Sequence, residues 1–148
     1  MAYLEKEKVA EIRKRIKAAF NKEWKFSVTR DDYSGVRVAI MRAPIDFRKD
    51  YVFKHFADEN DRKVILDRLD NGKLEVNEFY VDEQWTGAAQ RAFNKILSII
   101  YEVAGVPVNR NADDPGADYP NYDFFIYVQI GKWDKPCEFP RLDQSAAA

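Results

Sequence analysis

The chain reads as an α+β protein, a two-layer sandwich in the order α-β-β-(α)-β-α-β. About four strands form a mainly antiparallel sheet, with two long helices on one face. Three observations carry this. Two stretches repeat apolar residues at three- and four-residue steps, as a helix with one buried stripe requires. Four shorter stretches alternate apolar with polar residues, the period of a strand. Two amphipathic helices also need an apolar face to cover, which such strands supply.

The first element is "LEKEKVAEIRKRIKAAFNK", in which Val9, Ile12, Ile16, Ala19 and Phe20 share one helical face. Glu5, Glu7 and Glu11 stand in its early turns and the cations later, which suits the helix dipole and i,i+4 pairing. Next, Trp24, Phe26 and Val28 alternate with Lys25, Ser27 and Thr29. After "DDYSG", Val36, Val38 and Ile40 alternate with Arg37, Ala39 and Met41. Two period-two runs joined by Asp, Ser and Gly predict an antiparallel hairpin, ended by Pro44.

Residues 46–58 show no periodicity. "DENDRKVILDRLDNGK" then predicts a short helix with an acidic start and an Asn-Gly stop. "LEVNEFYVD" predicts a third strand, and a second long helix is expected from about Thr86 to Val103, stopped by Gly105 and Pro107. After a loop rich in Asp, Pro, Asn and Gly, "YDFFIYVQIGKWDKP" predicts the last strand. Tyr122, Phe124, Ile126, Val128 and Ile130 take one face, with Phe125, Tyr127 and Gln129 on the other. Residues 1–144 are expected to form one domain, with 48–71 as an insertion and 145–148 as a tail.

Composition narrows the function classes. The 148 residues are 46% hydrophobic and 14% aromatic, enough for a core without staples. The formal net charge of −1 excludes a global polycation for nucleic acid and a strongly acidic nucleic-acid mimic. Charge is uneven, however: residues 1–30 carry nine Lys/Arg against four Asp/Glu. One cysteine, Cys137, cannot make an internal disulfide, and no signal peptide or long apolar run is visible. A protein of a reducing cytoplasm is expected, without membrane attachment.

Catalytic motifs are sparse. His55 is the one histidine, so nucleophilic chemistry would have to be built around it. Asp31, Asp32, Glu78, Asp82, Glu83, Asp113 and Asp114 could serve a hydrolase only if two met in a cleft. "DRLDNGKLEVNE" imitates a calcium loop at Asp67, Asn71, Gly72 and Glu78, but Leu69 occupies a ligand position. A helix cap followed by a strand explains that spacing better. No phosphate-binding glycine loop occurs, and neither cofactor nor metal is expected.

Binding readings remain. Arg13, Lys14, Arg15 and Lys17 on the first helix could contact phosphates, with aromatics stacking on bases. The acids on the same helix weaken that field. A strand after the second helix also departs from the double-stranded-RNA module, and only Arg91 and Lys95 stand near the start of that helix. Partner-binding candidates are Tyr80, Trp85, Phe125, Tyr127, Lys132 and Trp133. For "GKWDKP" two readings stand: a strand exit whose indole folds over the core edge, or a partner-facing anchor.

Five blocks occur in fixed order: a "MAYL" start, "SVTRDDYSGVRVAI", "PIDF", "VNEFYVDEQW" and "IGKWDKP". Across residues 1–47 and 74–136 the chain resembles a family of small uncharacterised proteins of tailed phages and other mobile elements. The resemblance implies a mobile-element origin and action in a bacterial cytoplasm, and it carries no catalytic residue. The expected function is therefore non-enzymatic protein–protein contact, with a host or defence protein or with a second copy. A nucleic-acid-binding module and a carboxylate-based hydrolase are the alternatives.

Overall fold

The hairpin forms where the alternation places it. In the computed structural model, which describes residues 6–31, 35–53, 58–104 and 125–140, β1 (Lys25–Asp31) pairs antiparallel with β2 (Gly35–Arg42). The register sets Val28 against Val38 and Phe26 against Ile40, so both runs point their apolar residues the same way. β4 (Phe125–Ile130) lies on the other side of β2 and β3 (Leu74–Val76) beyond it, giving the order β1-β2-β4-β3.

The sheet is mixed. β4 runs parallel to β2 and antiparallel to β3, so two of its three pairings match the antiparallel expectation. Alternation fixes which face of a strand is buried, but not which neighbour it takes or in which direction. The last strand of the sequence thus occupies a central slot, with Ile126, Val128 and Ile130 all buried.

Both long helices cover one face. α1 (Lys6–Ala19) buries Val9, Ile12 and Ile16 against β1 and α5 (Gly87–Ala104). α5 contributes Phe93, Ile96, Leu97 and Ile100 to the same core as Val36, Val38, Ile40 and the β4 residues. Each such aliphatic side chain stabilises the fold by roughly 1.5–3 kcal/mol on burial. The opposite face carries Arg37, Tyr127, Gln129 and Glu75.

Three elements differ from the sequence expectation. The stretch read as irregular contains α2 (Phe47–Asp50), whose Asp46 cap accepts from the Arg48 backbone N–H and grips the Arg48 guanidinium with both carboxylate oxygens. Phe47 is buried among Trp85, Phe93 and Phe139. The third strand stops after Val76, because the Asn77 side chain accepts from the Phe79 backbone N–H and turns the chain. Val81, expected in that strand, and Trp85, a partner-binding candidate, enter the core from the short helix α4 (Val81–Gln84) and its C-terminal cap.

The expected insertion is tied into the rest. Asp50 accepts from the Ala89 backbone N–H at 2.9 Å and so caps α5 from another element. α3 (Glu59–Asp70) begins at the Asp58 cap, which accepts from the Asp61 N–H, and buries Leu69 completely. Its C-terminus is capped by Asn71 and followed by Gly72 at φ +70°, as a helix-cap-then-strand reading of "DNGKLEV" requires.

The chain leaves β4 at Gly131, also at φ +70°, where an added Cβ would collide with the Gly72 carbonyl oxygen. By sequence, Gly131 lets the backbone leave the ladder and Pro136 forbids its resumption. Instead the chain rejoins β2 just beyond it, through Glu138 N–H to Met41 O at 2.9 Å and Ala43 N–H to Glu138 O at 3.0 Å. The bonding resumes after the proline, where backbone donors are available again.

Candidate binding surfaces

Residues 132–135, at the end of the last strand, form a closed turn. Lys132 N–H donates to Lys135 O at 2.7 Å, and Lys135 N–H donates back to Lys132 O at 3.1 Å. At its tip Trp133 is 87% exposed. Lys73 Nζ donates to Trp133 O at 3.0 Å, bracing the turn against the start of β3. The expectation that this indole folds over the core edge is therefore overturned. Cys137 and Phe139 are buried just after the turn and fill that edge instead.

Beside the turn, a groove of about 500 Å³ opens on the uncovered side of the sheet. Arg37, Arg68, Lys73 and Lys132 line it, against the single acid Glu75 among the described lining residues. Arg37 lies 4.6 Å over the Tyr127 ring and donates to Gln129 Oε1 at 2.8 Å. Gln129 Nε2 in turn donates to Gly131 O at 2.9 Å. One polar chain thus links the open face to the base of the turn.

The six partner-binding candidates do not form one patch. Trp85 is 1% exposed and belongs to the core, in edge contact with Tyr51, Phe47 and Phe93. Tyr127 is 37% exposed on the open face, and the Phe125 side chain lies outside the described set. Lys132 and Trp133 stand at one end of the sheet. Tyr80, 41% exposed, follows the opposite end of β3, since Leu74 and not Val76 pairs with Ile130. Sequence reading missed Arg37, Arg68 and Lys73, which meet only through the sheet register and α3.

The basic helix face is less free than its sequence suggests. Arg13 donates twice to Val28 O, from Nε at 3.1 Å and from Nη2 at 2.6 Å. Arg15 bonds Glu11 at 2.8 Å and Glu102 at 3.0 Å. The Arg15 hydrogen bond holds the Glu11 carboxyl below its ordinary range and raises the guanidinium's own value. Lys14 and Lys17 are exposed.

A second hollow, about 620 Å³, lies between the last turn of α1 and the start of β1. Phe20, Trp24 and Phe26 meet there, with Phe20 centroids 4.8 Å from Trp24 and 4.9 Å from Phe26. Trp24 and Phe26 are parallel within 3°. Lys17, Lys22, Lys25 and Arg13 border the rings, and no carboxylate is among the described lining residues. A sequence scan could have found this cluster only by joining the helix end to the strand start, which the "NKEWKF" run does at short range.

Of the residues considered for catalysis, Glu78, Asp82, Glu83 and Cys137 are among those described, and no three His, Cys, Asp or Glu side chains of the described residues gather where they could hold a metal ion. His55, Asp32, Asp113 and Asp114 lie outside the described residues, as does the Asp31 side chain. Glu78 accepts from the buried Tyr101 hydroxyl at 3.1 Å, and Asp82 accepts from Asn94 at 2.8 Å. Cys137 is a buried thiol. No helix among the described residues is long and apolar enough to cross a membrane.

A family model described as large polyvalent protein associated domain 29, a phage-associated family, matches residues 3–98. The match takes in "SVTRDDYSGVRVAI", "PIDF" and "VNEFYVDEQW", and ends before β4 and the "IGKWDKP" turn. Neither the curated proteins nor the solved structures gave a match.

Proposed function

Because the chain belongs to the large polyvalent protein associated domain 29 family, we propose that it is a phage or mobile-element protein that works by binding another protein. The surface is the 132–135 turn together with the adjoining groove on the open face. The observation that carries this reading is Trp133, 87% exposed on a turn held by two backbone bonds and a lysine brace.

An indole in water forgoes the burial that would normally stabilise it, and a backbone already closed into a bonded turn loses little further entropy on docking. Tryptophans and arginines dominate binding energy where they meet a partner's pocket. The groove supplies Arg37 and Arg68 beside it, so the partner presents an apolar pocket flanked by carboxylates. The family's phage association supports a host or defence protein in that role, met in a bacterial cytoplasm.

A photo-crosslinking residue at position 133, expressed in bacteria, tests this. A discrete higher-mass adduct is expected from position 133 and not from Glu59, which is exposed on α3. An adduct of twice the chain mass means a second copy; another mass means a foreign protein. Absence of any adduct, or equal patterns from both positions, would overturn the reading.

A further inference from the structure

We infer that the notch between α1 and β1 binds single-stranded nucleic acid, stacking a base on the Trp24 ring while Lys17, Lys22 and Lys25 hold the phosphates. This site is separate from the Trp133 turn: its rings sit on the helix-covered side of the sheet, whereas the groove beside Trp133 lies on the other.

The rings alone have a simple explanation. Phe20, Trp24 and Phe26 pack against the edge of the core and close it where α1 ends. That accounts for their buried halves. It does not account for the cations around their exposed halves, since a seal would be as good with neutral residues or with balanced charge. Four cations and no carboxylate among the described lining residues produce a local positive field in a chain whose net charge is −1.

Charge and ring together select the ligand class. Aromatic faces beside lysines are how sequence-tolerant proteins hold single strands, because every base has a π-face and every nucleotide a phosphate. In a duplex those faces are covered by stacking, so a duplex can use the lysines but not the rings. An acidic protein segment can also use the lysines, and it too leaves the ring face without a base. The notch volume, about 620 Å³, is within the range of sites that enclose a small ligand, roughly 300–1,000 Å³.

The structure also moves the nucleic-acid reading off the helix face where sequence placed it. Arg15 is engaged by Glu11 and Glu102, and Arg13 by Val28 O through two of its donors. Of the four helix cations considered, Lys17 and Arg13 border the notch. Lys22 and Lys25 join them from the turn and from β1.

The test uses the full chain and a fluorescein-labelled oligothymidylate of about 15 nucleotides. Binding is expected at low salt, with quenching of Trp24 fluorescence that is absent in Trp24→Phe. Removing two phosphate-holding cations in Lys17→Ala/Lys22→Ala should lower the log–log salt slope by about 1.4. Trp24→Ala should weaken binding by about tenfold or more; Trp24→Phe, which keeps a ring at this edge of the core, guards against misfolding. The inference is overturned by no binding at low salt, by a duplex of equal length binding as tightly, or by polyglutamate displacing the strand as effectively as unlabelled oligothymidylate. Retention of full affinity in the double lysine variant would overturn it as well.

Discussion

The Arg13 guanidinium on α1 closes on the carbonyl oxygen of Val28, at 3.1 Å from Nε and 2.6 Å from Nη2. Among the described residues β1 is an edge strand, paired with β2 alone. A free edge carbonyl is a site for pairing with another chain, and a charged side chain laid across it blocks that pairing. Arg13→Ala should therefore cost about 1–2 kcal/mol in urea unfolding and increase self-association in sedimentation. Arg13→Lys should restore part of the stability, and an Arg13→Ala protein that unfolds like the parent would show the contact to be incidental.

Gly72 and Gly131 form a second linked pair. Both sit at φ +70°, and a side chain on Gly131 would strike the Gly72 carbonyl. That carbonyl already accepts from Cys137 N–H at 2.9 Å, so it cannot move without releasing the returning chain. Gly131→Ala should destabilise by about 2 kcal/mol or more, from left-handed backbone and collision together. Thermal unfolding checks this. A Gly72→Ala/Gly131→Ala double variant should lose less than the losses of Gly72→Ala and Gly131→Ala combined, because both added side chains press on the Cys137 backbone and one displacement relieves both.

Much of this architecture is legible locally. The 9/12/16 stripe of α1, the β1–β2 hairpin and the Asn71-Gly72 stop each depend on neighbours within a few residues. The missed features are long-range. Asn77 could bond the next turn or continue a strand, and only the position of Val81 and Trp85 in the core decides between them. β4's parallel seat beside β2 depends on where the chain returns. Trp133 could not be placed from "GKWDKP", because whether the edge needs an indole depends on Cys137 and Phe139 filling it. The groove cations Arg37, Arg68 and Lys73 come from three elements, so no spacing rule joins them.

Asp50 should prove structural although it stands in the expected insertion. Its carboxylate takes the Ala89 N–H, and its carbonyl takes Thr86 N–H at 2.9 Å. Asp50→Ala leaves the first turn of α5 without that acceptor and should lose about 1–2 kcal/mol. Asp50→Asn, which keeps an acceptor but not the charge, should fall between the two. Hydrogen exchange at the start of α5 should quicken in the alanine variant, and unaltered exchange there would count against the cap.

Stability should decline on the acid side, through Glu138 and Glu11. The hydrogen bond and charge of Arg42 hold Glu138 below the ordinary carboxylate range, and Arg15 does the same for Glu11. A value lowered in the folded state adds stability above the unfolded value, lost as pH falls through the folded one. Both carboxyls are exposed, so the effect is small and weakens with salt. Urea midpoints between about pH 6 and pH 3 should fall less steeply for Arg42→Ala than for the parent. Equal slopes would assign the acid sensitivity to other groups.

Trp85 and Trp133, both partner candidates by sequence, should separate cleanly by energetics. Trp85 is enclosed by Phe47, Tyr51 and Phe93, so Trp85→Ala removes a large ring from a packed core and should cost about 3–5 kcal/mol. Trp133 makes no comparable burial, and Trp133→Ala should change stability by no more than about 0.5 kcal/mol. Such neutrality matters for the binding proposal, because weaker partner capture by Trp133→Ala then reports on the docking surface and not on the fold. Guanidinium titrations of the two variants check the contrast. A large penalty at 133 would mean that the indole is needed to close the fold, and the turn would no longer stand as a surface built for a partner.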